Sequence, residues 1–239
     1  MKNILSTAFS LLISVSLLAQ ATFNDANAEM RNVKGFRGIK VATGIQLVLT
    51  QGSTEAVAVS APTPEDRNRI KTVVENGVLK IYYDYDAWKL LRGKINKKLR
   101  AYVSVVNIDE MAVSSGASLK VDGEIKTDKL GIKASSGGIL EGKIVANDVN
   151  VDQSSGAVVR LSGSADNMDI EGSSGSVFHG YDVAVNSCNA KTSSGAGVQV
   201  TVNKEISAGA SSGGSVIYKG DGTLKNKRTS SGGHVGRKG

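Results

Sequence analysis

The chain has 239 residues, a formal net charge of +7, 28 glycines, two prolines and one cysteine. A lone cysteine excludes an intramolecular disulfide framework and a zinc centre built from several thiolates. Abundant glycine with little proline suits many short strands joined by tight turns rather than a disordered linker, and the basic balance favours anionic partners.

The N-terminus reads as an export signal. Lys2 gives a positive start, Ile4 to Leu18 is mostly apolar, and Ala19-Gln20-Ala21 follows as an A-x-A cleavage pattern. That order predicts a signal peptide over residues 1–21 and a mature chain from Thr22, in the periplasm, at the outer surface or outside a bacterial cell. A second A-x-A, Ala26-Asn27-Ala28, is the alternative cleavage position. No cysteine stands near either site, which argues against lipidation, and no later apolar run is long enough to span a membrane. An exported chain has little use for nucleotide, so neither a nucleic-acid partner nor a cofactor is expected.

Residues 22–110 read as an N-terminal β region and cap. Val41 to Leu49 looks like a strand, a turn at Thr43-Gly44 and a second strand. Asn76-Gly77, between Val73-Val74 and Val78 to Tyr82, is the dipeptide of a two-residue hairpin. Leu99 to Val106 is another strand. The segment 82–100 interrupts this pattern. It holds the only tryptophan, Trp88, and six cations, Lys89, Arg92, Lys94, Lys97, Lys98 and Arg100. Aromatic faces stack on sugar rings, and lysine or arginine pairs with carboxylates and phosphates. These seven residues are therefore the candidate binding site, for an anionic glycan or lipid headgroup. The competing reading is a solvated loop with Trp88 packed on the scaffold.

From 111 to 239 the sequence repeats. Ser-Ser-Gly occurs seven times, with its glycine at Gly116, Gly137, Gly156, Gly175, Gly195, Gly213 and Gly232. Seven residues before the glycine stand Leu130, Val149, Met168, Cys188 and Ile206, and five before stand Ile132, Val151, Ile170, Ala190 and Ala208. A period of two puts both columns on one face of a strand. Lys133, Asp152, Glu171 and Lys191, four before the glycine, point the other way. Three after it come Leu119, Leu140, Val159, Phe178, Val198 and Val216. Each unit is thus strand, turn, strand. A unit of this size cannot bury both its strands alone, but stacked units can, which predicts an all-β parallel β-solenoid, continuous with the preceding region. Seven rungs roughly 4.8 Å apart make a column on the order of 30 Å long. Glycine fits the corner because it accepts positive φ.

The order of parts resembles a known family. A signal peptide, the block Phe36 to Gly52 (F-x-x-I-x-V-x-x-G-I-x-L-x-L-x-Q-G), then N-G-x-L-x-I at Asn76 to Ile81, then the serine-glycine units, is similar to the head GIN domain family of putative autotransporter adhesins. The resemblance covers nearly all of the mature chain. It implies a β-helical fold and a cell-envelope or extracellular location, and it carries over no catalytic residue.

The remaining motifs have plainer readings. Gly209-Ala-Ser-Ser-Gly213 matches a nucleophile elbow but falls on a repeated corner with no helix after it. Gly137 to Lys143 approaches a phosphate loop but lacks the following Ser or Thr. Asp148, Asn150 and Asp152 mimic the start of a calcium loop, yet Gln153 and Val159 stand where that loop needs glycine and glutamate. Asp152, Asp169 and Glu171 form a candidate cation face, relieved by Lys133 and Lys191. His179 and His234 share no repeated acidic partner, and Cys188 falls in an inward column. The functional expectation is a non-catalytic, adhesin-like envelope protein. The alternatives are a polysaccharide-cleaving enzyme on a β-helix, disfavoured by short uniform units without long loops, and a purely structural envelope protein. Ice or mineral binding by the serine ladder is a further reading, disfavoured because the serines lie at a turn.

Overall fold

The computed structural model describes residues 25–85 and 98–239. They form a parallel β-solenoid built on one sixteen-stranded sheet. Its regular part comprises β9 (Ser118–Ala134), β10 (Ile139–Gln153), β11 (Val158–Gly172), β12 (Val177–Thr192) and β13 (Gly197–Ala210), each pairing in parallel with the next. Beyond β13 come β14 (Ser215–Lys219), β15 (Thr223–Thr229) and β16 (His234–Arg237).

The predicted columns are the core. In register stand Leu130, Val149, Met168, Cys188 and Ile206, and beside them Ile132, Val151, Ile170, Ala190 and Ala208, all buried. Each fully buried Leu, Ile or Val contributes roughly 1.5–3 kcal/mol relative to its exposed state. The column five after the corner glycine alternates large and small: Val121, Gly142, Leu161, Gly180, Val200. The alternation is steric. A Cβ on Gly142 would lie 2.6 Å from Val121 Cγ2, and one on Gly180 would lie 2.4 Å from the Phe178 ring. The fully buried Phe178 is accommodated because its own rung has no side chain at 180.

Every corner uses two residues at positive φ. The second serine lies at 46–52° and the glycine at 68–74° in all seven Ser-Ser-Gly units. Paired left-handed residues define a type I′ turn, closed by bonds such as Ala117 N–H to the Ser114 carbonyl at 3.1 Å. Corners are also bonded to one another, Gly116 N–H to the Ser136 carbonyl and Gly137 N–H to the Ser155 carbonyl, each at 3.0 Å. The sequence indicated the glycine; a serine in the same region was not foreseen. Thr43-Gly44 is the same corner in degenerate form, with φ of 58° and 72°.

The N-terminal region joins this column out of chain order. β2 (Gly38–Val41) and β3 (Gln46–Gln51) form a rung on top of which lie β8 (Glu110–Val113) and β9. Beneath it lie β6 (Val78–Tyr83) and β7 (Arg100–Val105), also parallel. Residues 84–99 connect β6 to β7 in the chain. Three antiparallel strands close this end: β5 (Ile70–Glu75) on β6, β4 (Ala56–Ser60) on β7, and β1 (Ala28–Arg31) on β4. β5 and β6 meet at Asn76-Gly77, φ 51° and 74°, the expected hairpin. A six-residue helix, α1 (Pro64–Arg69), was not expected. Its Thr63 hydroxyl accepts from Asp66 N–H, Pro64 opens it, and Glu65 and Asp66 occupy its first turn, all helix-start signals.

The last rung inverts the inward pattern. Lys227 stands in register with inward-facing Ala208, and its ammonium donates to the Val235 carbonyl at 2.9 Å, across the end of the core. An inward charge at a terminal strand blunts further pairing.

Candidate functional site

A groove of about 720 Å³ runs along one side of the solenoid beside the corners. Its floor is the inward row three before the corner glycine, Ala134, Gln153, Gly172, Thr192 and Ala210, all buried. One border is the first serine of each corner, from Ser135 to Ser230. The other is the outward row Lys133, Asp152, Glu171, Lys191, Gly209 and Arg228. Short side chains on the floor and the outward swing of the type I′ corners create the depression. Six rungs roughly 4.8 Å apart give it a length of about 24 Å. The buried amide of Gln153 is satisfied within the fold, by the Val177 carbonyl at 3.3 Å and Phe178 N–H at 3.1 Å, so it closes the floor.

The charges along the outer border are partly neutralised between rungs. Lys133 Nζ lies 3.1 Å from Glu110, and Lys191 Nζ lies 3.0 Å from Glu171. Asp152 and Arg228 have no ion-pair or hydrogen-bond partner from their side chains among the described residues. Neighbouring columns carry further cross-rung bonds: Asn147 donates to Asp128, Asn167 to Asp148, Asn186 to Asp166 and Asn189 to Asp169, at 2.5 to 3.0 Å.

The residues singled out from the sequence fall in different places. Trp88, Lys89, Arg92, Lys94 and Lys97 lie outside the described residues. Lys98 is exposed. Arg100 opens β7, and its guanidinium lies 3.4 Å from the Asp25 carboxylate. Asp25 also accepts from the Tyr102 hydroxyl at 2.8 Å and from Asn27 N–H at 3.0 Å. These donors, the tyrosine first, hold its carboxyl below the usual range.

Asp152, Asp169 and Glu171 do share an outer face, with Asp152 beside Glu171 and Asn150 beside Asp169 in register. Two of the three carboxylates are occupied, Asp169 by Asn189 and Glu171 by Lys191. Among the described residues no group of three or more His, Cys, Asp or Glu is arranged to hold a metal. His179 Nδ1 lies 3.2 Å from Gln199 Oε1 and His234 is exposed in the last rung, so the two are not brought together. Cys188 is a free, buried thiol whose pKa is pushed up to about 12, by burial first and by the charge of Asp169 second.

Sequence reasoning missed the groove and the cationic last rung. The groove was readable as the mostly short row Ala134, Gln153, Gly172, Thr192 and Ala210, three before successive corner glycines. The last rung was readable from its six cations, Lys219, Lys225, Lys227, Arg228, Arg237 and Lys238, against Asp221.

A column of serine-glycine corners with a long groove along its side defines a parallel β-solenoid. The family comparison agrees: residues 35–222 match the model described as putative auto-transporter adhesin, head GIN domain, and the chain belongs to that family. Among solved structures it is similar to a putative adhesin from Bacteroides fragilis NCTC 9343, at 18% identity and TM-score 0.77, covering 88% of this chain and 96% of that one. A putative lipid binding protein from Parabacteroides distasonis ATCC 8503 shares the fold at 15% identity and TM-score 0.68, covering 90% and 98%. So does a putative adhesin from Parabacteroides merdae ATCC 43184, at 17% identity and TM-score 0.65, covering 89% and 95%. No curated protein matches the sequence. The family is one of adhesin-like surface proteins, and neither it nor these neighbours is described as an enzyme.

Proposed function

We propose that this chain is a non-catalytic, exported cell-envelope protein that binds a glycan or another anionic envelope component. The groove carries this reading. It is long, open and bordered by serine hydroxyls and by both signs of charge, which suits an extended, hydroxyl-rich polymer lying along the rungs. The basic aromatic segment around Trp88, Lys89, Arg92, Lys94, Lys97, Lys98 and Arg100 belongs to the same proposal as a second contact, on its density of positive charge beside an aromatic ring.

The test is a glycan array probed with the mature protein, wild type against Gly209→Trp. Gly209 lies on the outer border, and a Cβ there meets nothing nearer than 3.9 Å, so the indole narrows the groove without strain in the core. Selective glycan binding that Gly209→Trp weakens supports the groove. Selective binding equal in both proteins assigns it elsewhere, with Lys94, Lys97, Lys98 and Arg100→Ser as the next variant. No selective binding by wild type, and none to isolated envelope material, removes the proposal.

A further inference from the structure

Five of the chain's seven net positive charges lie between Lys219 and Gly239. The cations there differ from most of those on the sides of the solenoid. Lys126, Lys129, Lys133, Lys143 and Lys191 each lie within 4 Å of a carboxylate. None of the six in the last rungs has an ion-pair partner among the described residues. Five of them, all but Lys219, are exposed.

Four of them are nonetheless held in place. Lys219 and Lys238 reach the ring of Tyr181 from successive rungs, with ammonium-to-centroid distances of 5.2 and 4.7 Å. Arg237 donates to the Gly220 carbonyl, and Lys227 to that of Val235. Lys225 and Arg228 project from β15, which pairs only with β13, as β16 pairs only with β14. The result is a concentration of cations around the last rungs, Arg228 at the end of the groove border and Lys219 and Lys238 over Tyr181, rather than a walled cavity. Protection of the terminal edge is already served by the inward Lys227, and leaves the other five unexplained.

We infer that the cations of the last rungs dock on anionic lipid headgroups, seating this end of the solenoid against a membrane surface. A planar lattice of negative charge needs no shaped pocket and attracts a concentration of cations through summed charge, whereas a soluble acidic oligosaccharide needs walls to hold it. The inference rests on the reading of the chain as an envelope-binding protein, but it uses one end of the solenoid and names a different ligand.

The experiment is co-sedimentation of the mature protein with phosphatidylcholine vesicles, with and without phosphatidylglycerol, at low and moderate salt. Wild type is compared with Lys219, Lys225, Arg228 and Lys238 changed together to serine. A second variant of equal charge, Lys129, Lys133, Lys143 and Lys191→Ser, controls for net charge, and circular dichroism checks folding of both. Wild type should bind only the anionic vesicles, and more weakly as salt rises. The end-rung variant should lose on the order of a hundredfold in partitioning at low salt, and the side-wall variant much less. Equal loss in the two variants would overturn the inference, as would capture of wild type by dextran sulfate but not by vesicles. Wild type that ignores anionic vesicles yet binds isolated envelope material overturns the inference alone; binding to neither overturns the proposed function as well.

Discussion

The Tyr102 hydroxyl donates to the Asp25 carboxylate at 2.8 Å, joining two residues far apart in the chain. Tyr102 lies on β7 at the closed end of the solenoid, and Asp25 begins the segment that enters β1. With Arg100 and the Asn27 N–H, the pair fastens that segment over the antiparallel cap. Ala28 follows at once, in register with Ser60.

This fastening predicts a pH signature. The carboxyl of Asp25 titrates below its usual range in the folded protein. Its contribution is therefore present above the unfolded pKa and lost as pH falls through the folded one. Asp25→Ala should cost roughly 1–2 kcal/mol at neutral pH, as for a hydrogen-bonded charge. The difference from wild type should vanish in acid. Denaturant melts at neutral and acidic pH check this; a constant difference across that range would remove the ionised carboxylate as the cause.

Cys188 should behave as a small core residue. Its thiol is buried and its pKa is about 12, so the reactive thiolate is scarce at neutral pH. A thiol reagent should label native protein far more slowly than denatured protein. Cys188→Ala should cost on the order of 1 kcal/mol through a small cavity. Equal labelling rates would contradict the inward register between Met168 and Ile206.

The corners should respond to backbone chemistry at both central positions. Ser155, at φ 52°, and Gly156, at φ 69°, form one such turn. Gly156→Val should destabilise by about 1–3 kcal/mol. Ser155→Val should lose about 1–2 kcal/mol, while Ser155→Asn, which gives the favoured Asn-Gly pair, should be neutral or stabilising. Thermal melts of the three variants measure the order; Ser155→Asn falling below Ser155→Val would refute the turn geometry.

Glycines away from the corners obey a different constraint. A Cβ on Gly163 would lie 2.0 Å from the Ile144 carbonyl oxygen, at φ 106°, whereas one on Gly156 meets nothing within 4 Å. Gly163→Ala should therefore cost about 3 kcal/mol or more, with close backbone approach added to strain. Gly156→Ala should cost clearly less. Similar melting temperatures for the two alanine variants would show that the close approach of Gly163 to Ile144 relaxes freely.

The legible part of this fold was the part governed by period. Columns such as Leu130–Val149–Met168 announce a buried face because burial selects residue type directly, and the Asn76-Gly77 hairpin is a local signal. Three features were less legible. Serine at positive φ is dictated by the corner geometry, not by a preference of serine. The β2–β3 rung sits between β6–β7 and β8–β9, and no local pattern encodes that crossing. The helix after Thr63 carried its start signals but is too short for periodicity to show. The groove emerges only when small residues from successive rungs are aligned, and the candidate segment 82–100 is legible as charge but not as geometry.

The outward ladders have a consequence for how the chain finds its pairing. The inward columns are nearly interchangeable: Val149, Met168 and Ile206 would each fill another's place at modest cost. A strand that skipped one rung would therefore lose little in this column. On the surface the same slip is conspicuous. Asp128, Asn147, Asp166 and Asn186 alternate up one column, each amide bonded to the acid below. Skipping a rung would set Asp128 against Asp166 and Asn147 against Asn186. The solvent face thus marks the same one-rung slip that the large–small alternation of Val121, Gly142 and Leu161 resists inside.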